Sequence, residues 1–202
     1  MALSMRRMQK LMALLMALVL AAPAAAQFSD AYNFLKAVKE KDGAKATELI
    51  NKPGSSTLVN SRDTETGDAA IHITVRRADM PWMALVLRAG GNPNLRDGQG
   101  NTPIIIATQT RWAEGIRLLL DYGVQVNAQN RLGETALLKA VQARDIESVK
   151  LLLEGRANPD VADNSGMSPR AVAESDPRGA QIARLFKDIP VKKPQAVQGP
   201  SL

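Results

Sequence analysis

Apolar residues along this chain gather in short clusters separated by polar, glycine-bearing turns, and the clusters keep a fixed distance. Leu118-Leu119-Leu120 and Leu151-Leu152-Leu153 stand 33 residues apart. Each triplet sits in a stretch whose apolar positions have helical spacing. Four turn glycines, Gly67, Gly100, Gly133 and Gly166, keep the same interval. Each opens a related text, as in Gly100-Asn101-Thr102-Pro103-Ile104-Ile105 and Gly133-Glu134-Thr135-Ala136-Leu137-Leu138. A fixed period of this size means that one unit cannot bury its own apolar face and must stack on its neighbours. The pattern therefore predicts an all-α solenoid of about five stacked helix-turn-helix units, degenerate at both ends. Such a fold points to binding without naming what is bound.

Polar residues at the edges of the clusters predict where helices start and stop. Thr102 is placed to cap the following helix with its hydroxyl, with Pro103 at the first helical position, and Thr135 and Ser168-Pro169 repeat this. Asp79 and Asp145 stand at the N-terminus of each second helix, and Gly90 and Gly123 supply its left-handed end. Arg156 replaces that glycine in the next unit, and Gly155 beside it offers to move the cap by one residue. The first unit has helical spacing at Phe34, Leu35, Val38, Leu49 and Ile50, broken at Lys41-Asp42-Gly43. It carries about four residues more than the period, which the turn chemistry of Pro53-Gly54-Ser55-Ser56-Thr57 places in that loop. Trp82 and Gly115 are equivalent positions 33 apart, so the indole of Trp82 is expected to fill the space left by Gly115. At the far end Ala171-Val172-Ala173 and Ile182, Leu185 and Phe186 predict a closing helix pair, broken at Asp176-Pro177-Arg178-Gly179.

The text Gly100 to Ala107, followed by Leu118-Leu119-Leu120-Asp121-Tyr122-Gly123 and Val126-Asn127, resembles an ankyrin repeat. The frame also fits Gly133 to Asp160, and Gly67 to Asn94 with Thr-Pro reduced to Ala69-Ala70 and the histidine kept as His72. The resemblance covers residues 28–187. It implies an ankyrin-repeat solenoid with protruding β-turn or hairpin loops, in units 28–62, 63–96, 97–129, 130–162 and 163–187. It also implies binding through hairpin tips and the inner face of each first helix. Carried onto this sequence, those positions are Arg62, Glu65, Thr66, Asp68, Arg76 and Arg77; then Arg96, Gln99, Asn101, Gln109 and Thr110; then Gln129, Arg131, Leu132, Glu134 and Gln142. Arg62, Arg76, Arg77, Arg96 and Arg131 thereby fall on one face, where planar guanidinium forks suit carboxylates of a partner. Replacing Arg76, Arg77 and Arg96 together is expected to abolish partner capture without lowering the melting temperature.

The beginning of the chain departs from the period. Arg6, Arg7 and Lys10 precede an apolar run from Leu11 to Ala22, and Pro23-Ala24-Ala25-Ala26 supplies small residues. The run is shorter than the roughly 20 residues of a spanning helix, and the order of basic, apolar and small residues is that of a secretory signal peptide, residues 1–26. Cleavage after Ala26 leaves a repeat domain, 27–187, and a Pro- and Lys-bearing tail, 188–202, expected to be disordered.

Charge changes the picture little. The net charge of +6 comes from 26 basic and 20 acidic residues. Three of the basic ones lie in the leader, so the expected mature chain has +3 without clusters and gives no reason to expect nucleic acid. With no cysteine there is neither a disulfide framework nor an oxidisable thiol. An exported, periplasmic or secreted bacterial monomer without membrane attachment after cleavage is expected, and its partner is another protein.

Catalytic chemistry finds little support. His72 is the sole histidine, and in the resembled family that position links adjacent turns by hydrogen bonds. Asp160 and Asp163-Asn164-Ser165 lack the alternation of oxygen ligands in a calcium loop. Gly98-Gln99-Gly100 lacks the further glycine and lysine of a phosphate loop. No cofactor and no metal are expected, leaving a non-enzymatic adaptor, an inhibitor or immunity-type protein occluding one exported enzyme or toxin, or a hydrolase using scattered carboxylates.

Overall fold

The computed structural model describes residues 30–52 and 54–191. The expected signal peptide and most of the expected tail, 192–202, lie outside the described residues. Among the described residues eleven helices follow one another: α1 through residues 30–40, α2 (Gly43–Ile50), α3 (Ser56–Val59), α4 (Ala70–Arg76), α5 (Met80–Arg88), α6 (Pro103–Gln109), α7 (Ala113–Asp121), α8 (Ala136–Gln142), α9 (Ile146–Glu154), α10 (Pro169–Ser175) and α11 (Ala180–Phe186). Setting aside the four-residue α3, they form five pairs. The first helices α4, α6, α8 and α10 pack on one another in series, and α7, α9 and α11 form a parallel outer row. Between the rows Ile71, Met83, Ile104, Ile116, Leu119, Leu137, Leu152 and Phe186 are buried in one continuous core.

Helices of seven to nine residues are too short to persist in water alone, so stacking and caps hold them. Asp79 accepts from Trp82 N, Asp145 from Ser148 N, Thr135 from Leu138 N and Ser168 from Ala171 N, as their positions predict. Thr102 does not: its hydroxyl makes no capping bond and is buried without a partner. Its backbone (φ −85°, ψ 161°) matches that of Thr135 (φ −93°, ψ 165°), so the backbone angles of the cap residue do not account for the difference.

Three further expectations are corrected. Gly155 does not take over the left-handed cap. Arg156 adopts it directly at φ 64°, while Gly155 stays near helical at φ −73°, where a Cβ would come within 2.4 Å of Leu120 Cδ2. The space above Gly115 is filled by Trp112 rather than Trp82: a Cβ at Gly115 would lie 2.2 Å from the Trp112 ring. Trp112 stands at the N-cap of the same helix, one turn away, and so reaches Gly115 without crossing to another unit. The extra residues of the first unit do not all fall at 53–57. The first hairpin closes from Asp63 N to Asp68 O, whereas the next three close from Asp97 N to Asn101 O, Asn130 N to Glu134 O and Asp163 N to Met167 O. One added residue therefore sits in the first hairpin.

A hairpin and inner-helix face as the candidate interaction site

Each hairpin is built around one short side chain. Oδ1 of Asp63, Asp97, Asn130 and Asp163 accepts two backbone N–H bonds from within its own turn, for instance Gln99 N at 2.9 Å and Asn101 N at 2.8 Å for Asp97. This local pairing folds the turn without help from a sheet. Successive turns then lie directly on one another. Gly100, at φ 84°, has Arg131 against it so closely that a Cβ would meet Arg131 N at 3.0 Å, and Gly133, at φ 78°, has Asn164 N at 2.6 Å. The 33-residue glycine therefore answers both a left-handed turn and a close approach.

Two ladders lock these turns in register. Arg62 Nη1 donates to Gly67 O at 3.0 Å and to Arg96 O; Arg96 Nη1 donates to Gly100 O at 3.1 Å and to Gln129 O; Gln129 Nε2 donates to Gly133 O at 2.6 Å and to Ala162 O at 2.9 Å. Each side chain thus holds its own turn and the next. Below them Oδ1 of Asn60, Asn94 and Asn127 accepts from Asn92 N, Gln125 N and Asn158 N, each at 2.7 Å.

The inner helices continue this internal economy of charge. Arg76 bridges Asp68, at 3.4 Å, and Asp97, at 2.5 Å. The Asp97 side chain is only 1% exposed. Burial alone would raise its pKa, but the Asn101 and Gln99 donors and Arg76 outweigh that and hold it below the ordinary value. Glu134 is likewise held low by Lys139 and Asn130 against the effect of burial. Arg77 donates to Val38 O at 2.7 Å and Lys39 O at 2.9 Å. Lys39 pairs with Asp63 at 2.5 Å and pulls that carboxyl far below its usual range, helped by the Thr66 N–H. His72 is fully buried; its Nδ1 accepts from Ala69 N at 2.9 Å, and Nε2 lies 3.0 Å from Leu95 O. It links one unit to the next.

The expected binding residues accordingly divide. Arg62, Asp68, Arg76, Arg77, Arg96, Asn101, Gln129 and Glu134 are engaged in holding the stack, and Asn101 and Glu134 are buried. The fold does not leave these positions free, so the triple replacement of Arg76, Arg77 and Arg96 would strike stability as well as surface. Thr66 accepts from Asp68 N, Thr110 donates to Ile106 O and Ala107 O, and Gln99 Oε1 accepts from Asn101. Glu65, Gln109, Arg131, Leu132 and Gln142 are exposed and make no side-chain hydrogen bond among the described residues.

The repeat pattern gives no sign of a groove of about 620 Å³ at the N-terminal end, where Tyr32, Leu35, Lys36, Lys39 and Glu40 of α1 face the first hairpin. Its signal was an aromatic residue on the polar side of the first helix: Tyr32 is 67% exposed. Several carboxylates are tied to cations: Asp68 and Asp97 to Arg76, Glu134 to Lys139, and Asp160 to Arg170. Among the described residues no cluster of three His, Asp or Glu side chains is arranged to hold a metal ion, and no helix is long and apolar enough to cross a membrane.

Residues 71–163 match the family model for ankyrin repeats in three copies. That span runs from the second residue of α4 to the fourth hairpin, through the helix pairs whose stacking and hairpin ladders are most regular. Ankyrin repeats are protein–protein interaction modules, and residues 71–163 of this chain are ankyrin repeats.

Proposed function

We propose that this chain is a non-enzymatic binding protein, exported to the bacterial periplasm, that holds another protein against its hairpins and inner helices. The observation that carries the reading is the division of that face. Most of its polar side chains fasten the solenoid, and a small set, Gln109 and Gln142 on successive inner helices with Arg131 and Leu132 at a hairpin tip, is presented outward without an internal role. A rigid scaffold with a few uncommitted exposed side chains is suited to recognition, since little ordering is left to be done on binding. Export is supported by the order of basic, apolar and small residues before Gln27.

Crosslinking and pull-down from the cell envelope, with the mature chain as bait, tests both parts. Protein recovered there should begin at Gln27; recovery of an intact leader in the cytoplasm would contradict export. One partner should be captured by the parent and lost with Gln109→Lys and Gln142→Lys, whose exposed sites keep the melting temperature unchanged. Capture undiminished by these changes would remove the inner-helix face. A captured enzyme that the chain silences would make it an inhibitor, and one left active would make it an adaptor.

A further inference from the structure

The last three hairpin tips share the same two exposed positions, and one tip fills them differently from its neighbours. The places of Arg131 and Leu132 are held by Gly98 and Gln99 in the preceding hairpin and by Asn164 and Ser165 in the following one. Leu132 is 63% exposed, although a leucine gains nothing from water. Arg131 differs from the other arginines of this face. Arg62, Arg76, Arg77 and Arg96 are all drawn into internal bonds, whereas the exposed Arg131 side chain has no hydrogen bond or ion pair among the described residues. The adjoining tips carry neither a cation nor a carboxylate at these positions, so they offer its guanidinium no partner.

The tip is also held still. Asn130 Oδ1 accepts from Leu132 N at 2.9 Å and Glu134 N at 3.0 Å from within the turn. From the next unit, Asn164 N donates to Leu132 O and Asn164 Nδ2 to Arg131 O, each at 3.0 Å. On the other side the Arg131 stem lies on Gly100, where a Cβ would come within 2.8 Å of Arg131 Cγ. The backbone of both residues and the base of the arginine are thus fixed before any partner arrives, which lowers the ordering cost of binding.

Resting on the protein-binding reading, we propose that the Arg131-Leu132 tip is the anchor of that face, and that it takes a segment of another protein in which a carboxylate stands beside a large apolar side chain. The guanidinium fork pairs with a carboxylate through two parallel bonds. The leucine supplies the apolar contact that excludes water from them, the combination found where binding energy concentrates. A second copy offers a rival with similar chemistry: Asp121 and Tyr122, at the end of α7, are adjacent and exposed.

The test is to pan a random peptide library displayed on phage against the folded chain, then measure the enriched peptides by fluorescence anisotropy. The enriched sequences should place Asp or Glu within two residues of Leu, Ile, Phe or Trp. Their affinity should fall at least about tenfold with Arg131→Gln and with Leu132→Ser, fall less with Arg131→Lys, and weaken with added salt. Melting temperatures should not change, because both side chains stand in solvent. Enrichment of peptides without an acid, equal binding by the variants, or no enrichment would overturn the proposal. So would self-association of the parent that Asp121→Asn abolishes. Peptides that ignore the tip but are lost with Gln109→Lys and Gln142→Lys would overturn the tip assignment while leaving the protein-binding reading intact.

Discussion

Gly115 shows how a single position can set two physical effects against each other. It lies inside α7, where alanine is favoured over glycine by about 1 kcal/mol. A Cβ there would nevertheless sit 2.2 Å from the Trp112 ring, and forcing a large ring aside in a packed setting costs about 1–3 kcal/mol. Gly115→Ala is therefore expected to destabilise the chain despite its better helix propensity, and Trp112→Leu should suppress the loss. A chemical-denaturation double-mutant cycle measures this: additive effects would remove the Trp112 contact as the cause. The stack places other residues against their preference as well. Ala78, Arg111 and Arg144 all adopt positive φ, each in the middle of a three-residue link between paired helices, and Arg156 does so just past the end of α9.

At the scale of elements, what matters is how one helix pair is fastened to the next, and His72 is the clearest titrating fastener. Its Nδ1 accepts the Ala69 N–H, so the proton of the neutral ring is on Nε2, facing Leu95 O. A second proton on Nδ1 would oppose the Ala69 donor. Burial pulls the pKa of His72 down, against the Leu95 carbonyl and the charges of Asp68 and Asp97, with Arg62 also lowering it. With the folded value below the unfolded one, the unfolded chain binds more protons in that window. The stability from neutral His72 is therefore fully present above about pH 6.5 and is lost as pH falls toward the folded value. The equivalent positions hold Ile105 and Leu138, so His72→Leu should fold. At neutral pH it should cost about 1–3 kcal/mol, by stranding the Ala69 N–H and Leu95 O. Denaturation curves from neutral pH down to about pH 5 should show that difference shrinking; a constant difference would mean that His72 binds its proton equally well in the folded and unfolded chain.

At the scale of the molecule, the last described helix pair is fastened to the stack through Arg170. It stands in register with the core residues Ile71, Ile104 and Leu137, yet it is an arginine. Its guanidinium pairs with Asp160 at 2.6 and 3.2 Å, donates to Phe186 O at 2.8 Å and Ile189 O at 3.0 Å, and lies 6.0 Å from the Phe186 ring centre. Among the described residues no further helix pair packs on this face, and the charged fork ties α11 and the segment through Ile189 to the stack. The repeat pattern alone would favour leucine at 170. The structure predicts the opposite: Arg170→Leu should cost about 1.5–3 kcal/mol, the range for bonds to charged groups, and α11 should lose hydrogen-exchange protection before the other helices. Unchanged protection of α11 would show that the apolar contacts of Phe186 suffice.

The sequence by itself determined the repeat, its period, the order of helix pairs and most of the caps, because these rest on interactions within a few residues and on apolar spacing that any stack must satisfy. It also marked Arg131 and Leu132 among the outward positions. Only the tertiary structure decided which members of the expected face are available. Arg62, Arg76, Arg77 and Arg96 look like interface residues in the sequence, but their donors are taken by carbonyls and carboxylates that the fold brings to them from up to 39 residues away. Trp112 over Gly115 and Arg170 on Asp160 were hidden for a related reason. A repeat frame states which positions are equivalent, whereas the tertiary contacts around each position determine what its side chain meets.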